Sequence, residues 1–267
     1  MEFLVLGATG SLGRKVVSEL TGRGHTVRAG SRTDRSARDD ANVRWVTVDR
    51  ETGQGVGPAV EGTHAVVDAA NVRSARRSTL DAALVDGTRT VLDACHAAGD
   101  VHYVGMSIVG IDDIPYVYYK AKVRQEHVIE AAPGPISLLR ATQFHELVDD
   151  LLTTAAKLPV MPLPAAMKVQ PIDAADVARR VTDVAEGPPR GHLPDIGGPE
   201  VRTLGELAAV WTAARRRHRK VLRVPLPGRT GRALAAGVLC APAHAVPGRT
   251  FAQWLAGEPP TTSRVSG

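Results

Sequence analysis

Residues 114 to 122 read IPYVYYKAK, a stretch that holds three of the chain's four tyrosines. Tyrosine is followed four residues later by lysine twice within it, as Tyr116 with Lys120 and as Tyr118 with Lys122. Such a pair offers proton transfer. A phenol with an ordinary pKa of ~10 releases its proton reluctantly near neutrality, and an ammonium one helical turn away stabilises the phenolate. Residues two apart on a helix are turned by roughly 200°, so the two pairs should face opposite ways and only one can serve a given site.

A second group of residues suits a different task. LVLGATGSLGRKVV places Gly7, Gly10 and Gly13 at three-residue spacing between an apolar run and an amphipathic segment. Residues without a Cβ permit a tight strand-to-helix turn and let the backbone approach a pyrophosphate on the helix N-terminus. Thr9, Ser11 and the amides through Leu12 are the expected phosphate contacts, which makes a dinucleotide the expected ligand. The second strand ends AGSRTD, so Ser31 and Arg32 stand where a carboxylate would select NAD. A guanidinium can grip a 2′-phosphate in a fork, and NADPH is therefore expected over NADH, with NADH left open by the nearby Asp34. Asp49 is expected to accept from the adenine amino group, and Ala69, Ala70 and Asn71 to flank the cofactor.

These residues need a scaffold that brings strand ends together. Short β-rich runs at 3–7, 26–30, 43–48, 64–70, 101–107 and 136–141 alternate with segments of helical periodicity. That order predicts an α/β fold, a Rossmann-like doubly wound parallel sheet covered on both faces. After Ala141 the alternation stops and proline becomes dense in LPVMPLP. A helix opened by Asp173, a short strand in LPDIGG (193–198) and a helix capped by Thr203 with Glu206 three residues on are expected there. The chain is accordingly divided into a dinucleotide-binding region, 1–142, and a smaller substrate-binding or lid region, 143–267.

Composition narrows the classes further. The chain has 267 residues, 43% of them apolar, a formal net charge of +5 and a pI near 9.5. That is a mild bias toward anionic ligands and carries no nucleic-acid signature. Cys95 and Cys240 form neither a C-x-x-C motif nor a metal-ligand spacing, so no metal is expected and a reducing cytoplasmic setting fits. The opening MEFLVLGATG lacks a basic n-region, and the apolar run at 233–246 is broken by Pro242 and His244, so neither a signal peptide nor a membrane segment is expected. The RRRHRK cluster (215–220) reads as a solvated helix end and VRSARR (72–77) as a surface loop.

Taken with SIVG after the fifth strand, YYKAKVRQE opening the next helix and LLRATQFHEL after the sixth, GATGSLG makes the chain resemble an NmrA-like atypical short-chain dehydrogenase/reductase of bacterial type. The resemblance runs over essentially the whole chain and is strongest over 1–150. It implies bound NADP(H) or NAD(H) and, in catalytic members, a Ser/Tyr/Lys constellation. Ser107 sits at the end of the fifth strand, although its eleven-residue gap to Tyr118 is shorter than the family's usual spacing. On a helical wheel Tyr118 and Lys122 lie at the edge of the apolar stripe, so they are the expected reaction pair, with Tyr119 as a substrate-lining neighbour. Gln143, Phe144 and His145 are expected to line a pocket for a small, flat aromatic substrate.

What the resemblance implies about activity is reduction of a carbonyl or quinone, in a natural-product pathway where quinone reduction feeds a later oxygen-dependent hydroxylation by a downstream enzyme. Two alternatives stay open: a non-catalytic dinucleotide sensor that binds a regulatory partner, and an epimerase or dehydratase that retains its cofactor. Oligomeric state is also open.

Overall fold

A computed structural model of the chain describes residues 1–72, 74–112, 114–216 and 219–258. Arg73 of VRSARR, and Arg217 and His218 of RRRHRK, lie outside the described residues. In chain order the elements begin with β1 (Glu2–Leu6), α1 (Ser11–Gly22), β2 (Thr26–Ser31), β3 (Val43–Thr47), α2 (Val56–Val60), β4 (Ala65–Asp68) and α3 (Arg77–Leu80). A π-helical turn, Asp81–Asp86, leads into α4 (Gly87–Ala97), then β5 (His102–Ile108), α5 (Val117–Glu130) and β6 (Ile136–Ala141). There follow α6 (His145–Ala155), β7 (Val160–Leu163), β8 (Lys168–Val169), α7 (Ala174–Glu186), β9 (Gly191–His192), β10 (Arg202–Thr203), α8 (Leu204–Ala214), β11 (Lys220–Arg223), α9 (Gly228–Ala236) and α10 (Phe251–Leu255).

Two compact units result, and they are not separated by a single cut near 142. The first gathers Met1–Ser107, Pro115–Leu139 and Val177–Pro194; the second gathers Ile108–Ile114, Arg140–Asp176 and Asp195–Gly267. The reason is the late return of α7 and β9: β9 pairs in parallel with β6 through Ser137 and Leu138 and adds a seventh strand. The short strand expected at LPDIGG is shifted to Gly191–His192, because Pro194 has no N–H to give a ladder. Two isolated bridges remain of it, Ile196 with Ala141 and Gly197 with Ala245.

The sheet of the first unit has the order β3-β2-β1-β4-β5-β6-β9. β1 pairs in parallel with both β2 and β4, so the strand order reverses between β1 and β4. A crevice opens at such a reversal beyond the carboxyl ends of the strands, which is where this class of sheet binds ligands. On one face Leu4, Leu6, Val66, Tyr103 and Leu138 pack against Val56, Val60, Val91, Leu92 and Ile129 of α2, α4 and α5. Elsewhere in the unit Arg23, at the end of α1, holds Asp183 and Glu186 of α7 at 2.8 and 2.7 Å, and His25 meets Glu186 at 2.7 Å.

One polar feature sits inside this core. Asp68 ends β4 with its carboxylate buried and held by both oxygens to the Arg50 guanidinium, and Tyr103 donates to it at 2.7 Å. Arg50 also donates to the carbonyl of Ala83, which lies within the π-helical turn.

The second unit has its own core, in which Val148, Leu152, Met161, Leu163, Leu207, Trp211 and Phe251 are buried together. β8 and β10 form an antiparallel ladder and β7 and β11 a parallel one. The capping box of Thr203 and Glu206 forms as read, and a second one, Thr250 with Gln253, opens α10. Asp173 accepts from the amide of Ala175 at 2.9 Å and so opens α7. Among the described residues no helix is long and apolar enough to cross a membrane.

Removing one member of the buried pair leaves the other uncompensated. Arg50→Met should therefore lower the unfolding free energy by about 3 to 5 kcal/mol, while Arg50→Met combined with Asp68→Leu should recover a large part of it; denaturant midpoints of the three proteins compare them.

Candidate functional site

The glycine turn lies at the carboxyl end of β1, in the first unit. Gly7 adopts φ +70°, and a Cβ there would stand 2.7 Å from the backbone of Ala70. A Cβ on Gly13 would stand 2.1 Å from the carbonyl oxygen of Gly7. Neither position accepts a side chain, so turn, helix and the strand-end backbone at Ala69–Ala70 close onto one another. The amide of Gly10 donates to the Gly7 carbonyl at 2.9 Å, and α1 begins with no side-chain cap and no acid in its first turn. The amides of Ser11, Leu12 and Gly13 thus remain for an anion, in the field of the helix dipole. Thr9 is exposed at the tip, its carbonyl taking a 2.8 Å bond from Arg14. This cradle fits a dinucleotide pyrophosphate.

At the end of β2 the arginine that is held in place is not the one expected. Arg32 is exposed, whereas Arg35 donates through Nε to Ser31 Oγ at 3.2 Å and lies over the Trp45 ring at 5.8 Å. Asp34 accepts from the amide of Ser36 at 2.9 Å, which lowers its pKa and keeps it ionised in its own turn. Asp49 likewise accepts from the amide of Glu51 at 2.9 Å, so one of its oxygens is already in use in a loop turn. Arg35 was missed in the sequence; its signal was the tryptophan in the neighbouring strand, visible only once the register of β2 with β3 is known.

The tyrosines are arranged differently from a helical wheel. Tyr116 is the residue before α5 and has extended angles, φ −100° and ψ 130°, so the 100° step per residue does not apply to it. Instead of facing the opposite way, its ring lies 6.3 Å from that of Tyr118 and 5.2 Å from that of Tyr119. Burial first, then the neighbouring phenols, push the Tyr119 hydroxyl up to about 12. Tyr118 and Tyr119 are both half-buried, and the Tyr118 hydroxyl donates to Asn71 Oδ1, beyond the end of β4, at 3.0 Å. Asn71 therefore meets the tyrosine directly.

Lys122 is not at the edge of the stripe but inside it, 5% exposed. Its ammonium is held by the carbonyl of Met106 at 2.7 Å and by Gln125 Oε1 at 2.6 Å, and those bonds are what allow a lysine on the core face of α5. Burial pulls its pKa from 10.5 down to about 8, against the attraction of Asp68 and Glu126. Ser107, next along β5 from Met106, is buried, and its hydroxyl is a polar atom with no partner among the described residues.

Behind Lys122 runs a chain that sequence reasoning did not find. Gln125 Nε2 donates to Thr88 Oγ1 at 2.8 Å, Thr88 lies beside the Tyr103 hydroxyl, and Tyr103 donates to Asp68. Asp68 Oδ1 also accepts from the amide of Ala70 at 3.1 Å, which ties the chain to the glycine turn.

The residues expected to line a substrate pocket belong to the second unit. Gln143 is buried, donating to the Leu239 carbonyl at 2.9 Å and accepting from the Gln170 amide at 3.1 Å. His145 is wholly buried, bonded through Nε2 to the Arg249 carbonyl at 3.0 Å and packed 5.8 and 5.6 Å from the Phe251 and Trp254 rings. Both side chains bond within this unit's own scaffold, each in a buried position where its polar atoms need fixed partners. Phe144 is half-buried before α6 and bridges to Ile172 through its backbone. Among the described residues no group of three or more His, Cys, Asp or Glu could hold a metal ion.

Comparison with known proteins agrees with this geometry. A family model described as NAD(P)H-binding matches residues 7–188. A photosystem II assembly factor, Ycf39, from Trieres chinensis is 25% identical over 186 residues, a match that covers 67% of this chain and 58% of that protein's length. Among solved structures, a short-chain dehydrogenase/reductase superfamily protein from Agrobacterium tumefaciens with bound NAD superposes with a TM-score of 0.74 at 20% identity, covering 96% of this chain and 95% of that one. A nucleoside-diphosphate-sugar epimerase from Staphylococcus aureus gives 0.72 at 16% identity over 98% of each chain. UDP-glucose 4-epimerase from Thermus thermophilus, in complex with NAD, gives 0.69 at 19%, covering 86% of this chain and 88% of that one. These structures share the fold with this chain.

The buried lysine has a consequence for stability. Between about 8 and 10.5 the unfolded chain binds a proton at Lys122 that the folded chain has lost, so folding stability rises with pH across that window. Lys122→Met should remove this contribution, and denaturation of both proteins at pH 7.5 and pH 10 measures the difference.

Proposed function

The chain belongs to the NAD(P)H-binding family, and on that premise we propose that it is an NADPH-dependent oxidoreductase reducing the carbonyl or quinone of a small aromatic substrate. The observation that carries the proposal is the position of α5. It brings Tyr118 against Asn71, beyond the end of β4, and Lys122 against Met106 near the end of β5, on the same side of the sheet as the glycine cradle's strand ends. Arg35, braced on Trp45 and Ser31, supports NADPH, since its remaining N–H donors suit a ribose 2′-phosphate. Arg32 is the second donor there.

When bound, the nicotinamide supplies the hydride. Tyr118 gives its proton to the substrate oxygen, and the Lys122 ammonium lowers the cost of the phenolate that remains. Ser107, a buried hydroxyl in need of a partner, hydrogen-bonds the same oxygen. An amide side chain can accept from a phenol through Oδ1 and donate to a phenolate through Nδ2, so Asn71 can follow Tyr118 through both states. Tyr119, held neutral, offers an aromatic wall. A hydroquinone product would be a fit substrate for an oxygen-dependent hydroxylase acting next.

The rival reading, a dinucleotide sensor without turnover, draws on the same contact, since the Tyr118 hydroxyl must leave Asn71 before it can reach a substrate. Kinetics separate the two. NADPH oxidation should be seen with some members of a panel of quinones and aromatic ketones, fall about 100-fold or more in Tyr118→Phe and stay within about twofold in Tyr116→Phe. The rate should hold steady below about pH 8 and decline above it, as Lys122 loses its proton. Cofactor binding with no turnover across the panel, or an unchanged rate in Tyr118→Phe, would sink the proposal.

A further inference from the structure

We propose that Gln125 is a positioning residue that locks the Lys122 ammonium, so that its one remaining N–H has a fixed direction. The role of that N–H rests on the oxidoreductase reading above; the locking itself does not.

An ammonium has three equivalent donors and spins freely about its Cε–Nζ bond unless it is held. Here two donors are placed, one on the Met106 carbonyl at 2.7 Å and one on Gln125 Oε1 at 2.6 Å. Two bonds from one tetrahedral nitrogen define the third direction. Lysine and glutamine three residues apart on α5 share a face, which makes the contact native to the helix.

A primary amide could turn over and present its NH₂ to the ammonium, which would repel it. Gln125 is turned the other way, with Oε1 on the ammonium and Nε2 donating to Thr88 Oγ1 at 2.8 Å, and Thr88 is fully buried. Beside Thr88, the Tyr103 hydroxyl donates to Asp68 at 2.7 Å. From the buried cation, Lys122 donates to Gln125 and Gln125 to Thr88, while on the far side Tyr103 donates to the carboxylate that Arg50 neutralises. Reversing the Gln125 amide would set its NH₂ against an ammonium that has no lone pair to accept it, so Oε1 is the atom Lys122 meets. The charged groups that act on Lys122 are Asp68 on β4, Glu126 on α5 and Arg50 from the loop after β3; Tyr103 on β5 and Tyr118 on α5 are the titratable phenols beside them.

The test follows the nitrogen itself. The chain has six lysines, so protein labelled with ¹⁵N at lysine Nζ gives few signals, and Lys122→Met identifies the one that matters. Its titration is recorded in the wild type, Gln125→Leu and Gln125→Glu. Loss of the acceptor in Gln125→Leu should move the Lys122 midpoint down by about one unit or more, and the carboxylate of Gln125→Glu should move it up. In both variants the descending limb of the NADPH oxidation profile should shift with the midpoint. If Gln125→Leu does not fold, the upward shift in Gln125→Glu decides alone. A midpoint that stays put in every folded variant, even with lowered thermal stability, would overturn the assignment by showing Gln125 to be ordinary scaffold. Should the wild type oxidise no NADPH at all, the functional reading fails, and the nitrogen titration still decides on Gln125.

Discussion

Asp68 places a carboxylate at the end of a fully buried parallel strand, where an unmatched charge would cost several kcal/mol. Everything around it is arranged to supply donors. Arg50 reaches in from the loop after β3 and also donates to the Ala83 carbonyl in the π-helical turn. Tyr103 donates from β5, and the amide of Ala70 donates from the turn beyond β4. That last bond matters most for the site, because Ala70 is the surface against which Gly7 closes. The carboxylate therefore fixes the wall of the dinucleotide cradle while it anchors the chain that ends at Lys122.

Charge balance also explains the composition of α5. An amphipathic helix would present only apolar groups to the sheet, yet Lys122, Gln125 and Glu126 are buried beside Ala121 and Ile129. Such a face is tolerable only if its polar atoms are satisfied, and here Lys122 donates to Met106 and Gln125, and Gln125 to Thr88. A partly satisfied version would be worse than an apolar one, so the residues of this chain depend on one another more than on any apolar neighbour. The outer turn of the same helix carries Tyr118 and Tyr119, with Tyr116 packed against them from the residue before it, and the bond to Asn71 marks out Tyr118.

The second unit applies the same rule to different residues. Gln143 and Gln170 tie the segments around 143, 170, 198 and 241 together through buried amides, and Arg249 pairs with Asp173 while its carbonyl receives His145. Polar residues in an apolar run look like pocket groups in a sequence because polarity there calls for a reason. In this unit the reason is loop-to-loop bonding.

Local signals determined a good deal by themselves. The period-two and helical apolar patterns define the alternating elements of the first 141 residues, the glycine spacing defines the turn after β1, and Thr203 with Glu206 defines a helix start. Each is set by neighbours a few residues away, so it can be read along the chain. Tertiary structure decided what depends on distant partners: that α7 and β9 return to the first unit, that Arg35 and not Arg32 is braced on Trp45, that Tyr116 stands outside the helix, and that Lys122 is buried. Burial of a charge is set by whether an acceptor such as the Met106 carbonyl or Gln125, itself oriented from Thr88, lies within bonding distance after folding. No periodicity encodes that distance, which is why the lysine could be named from the sequence but its surroundings could not.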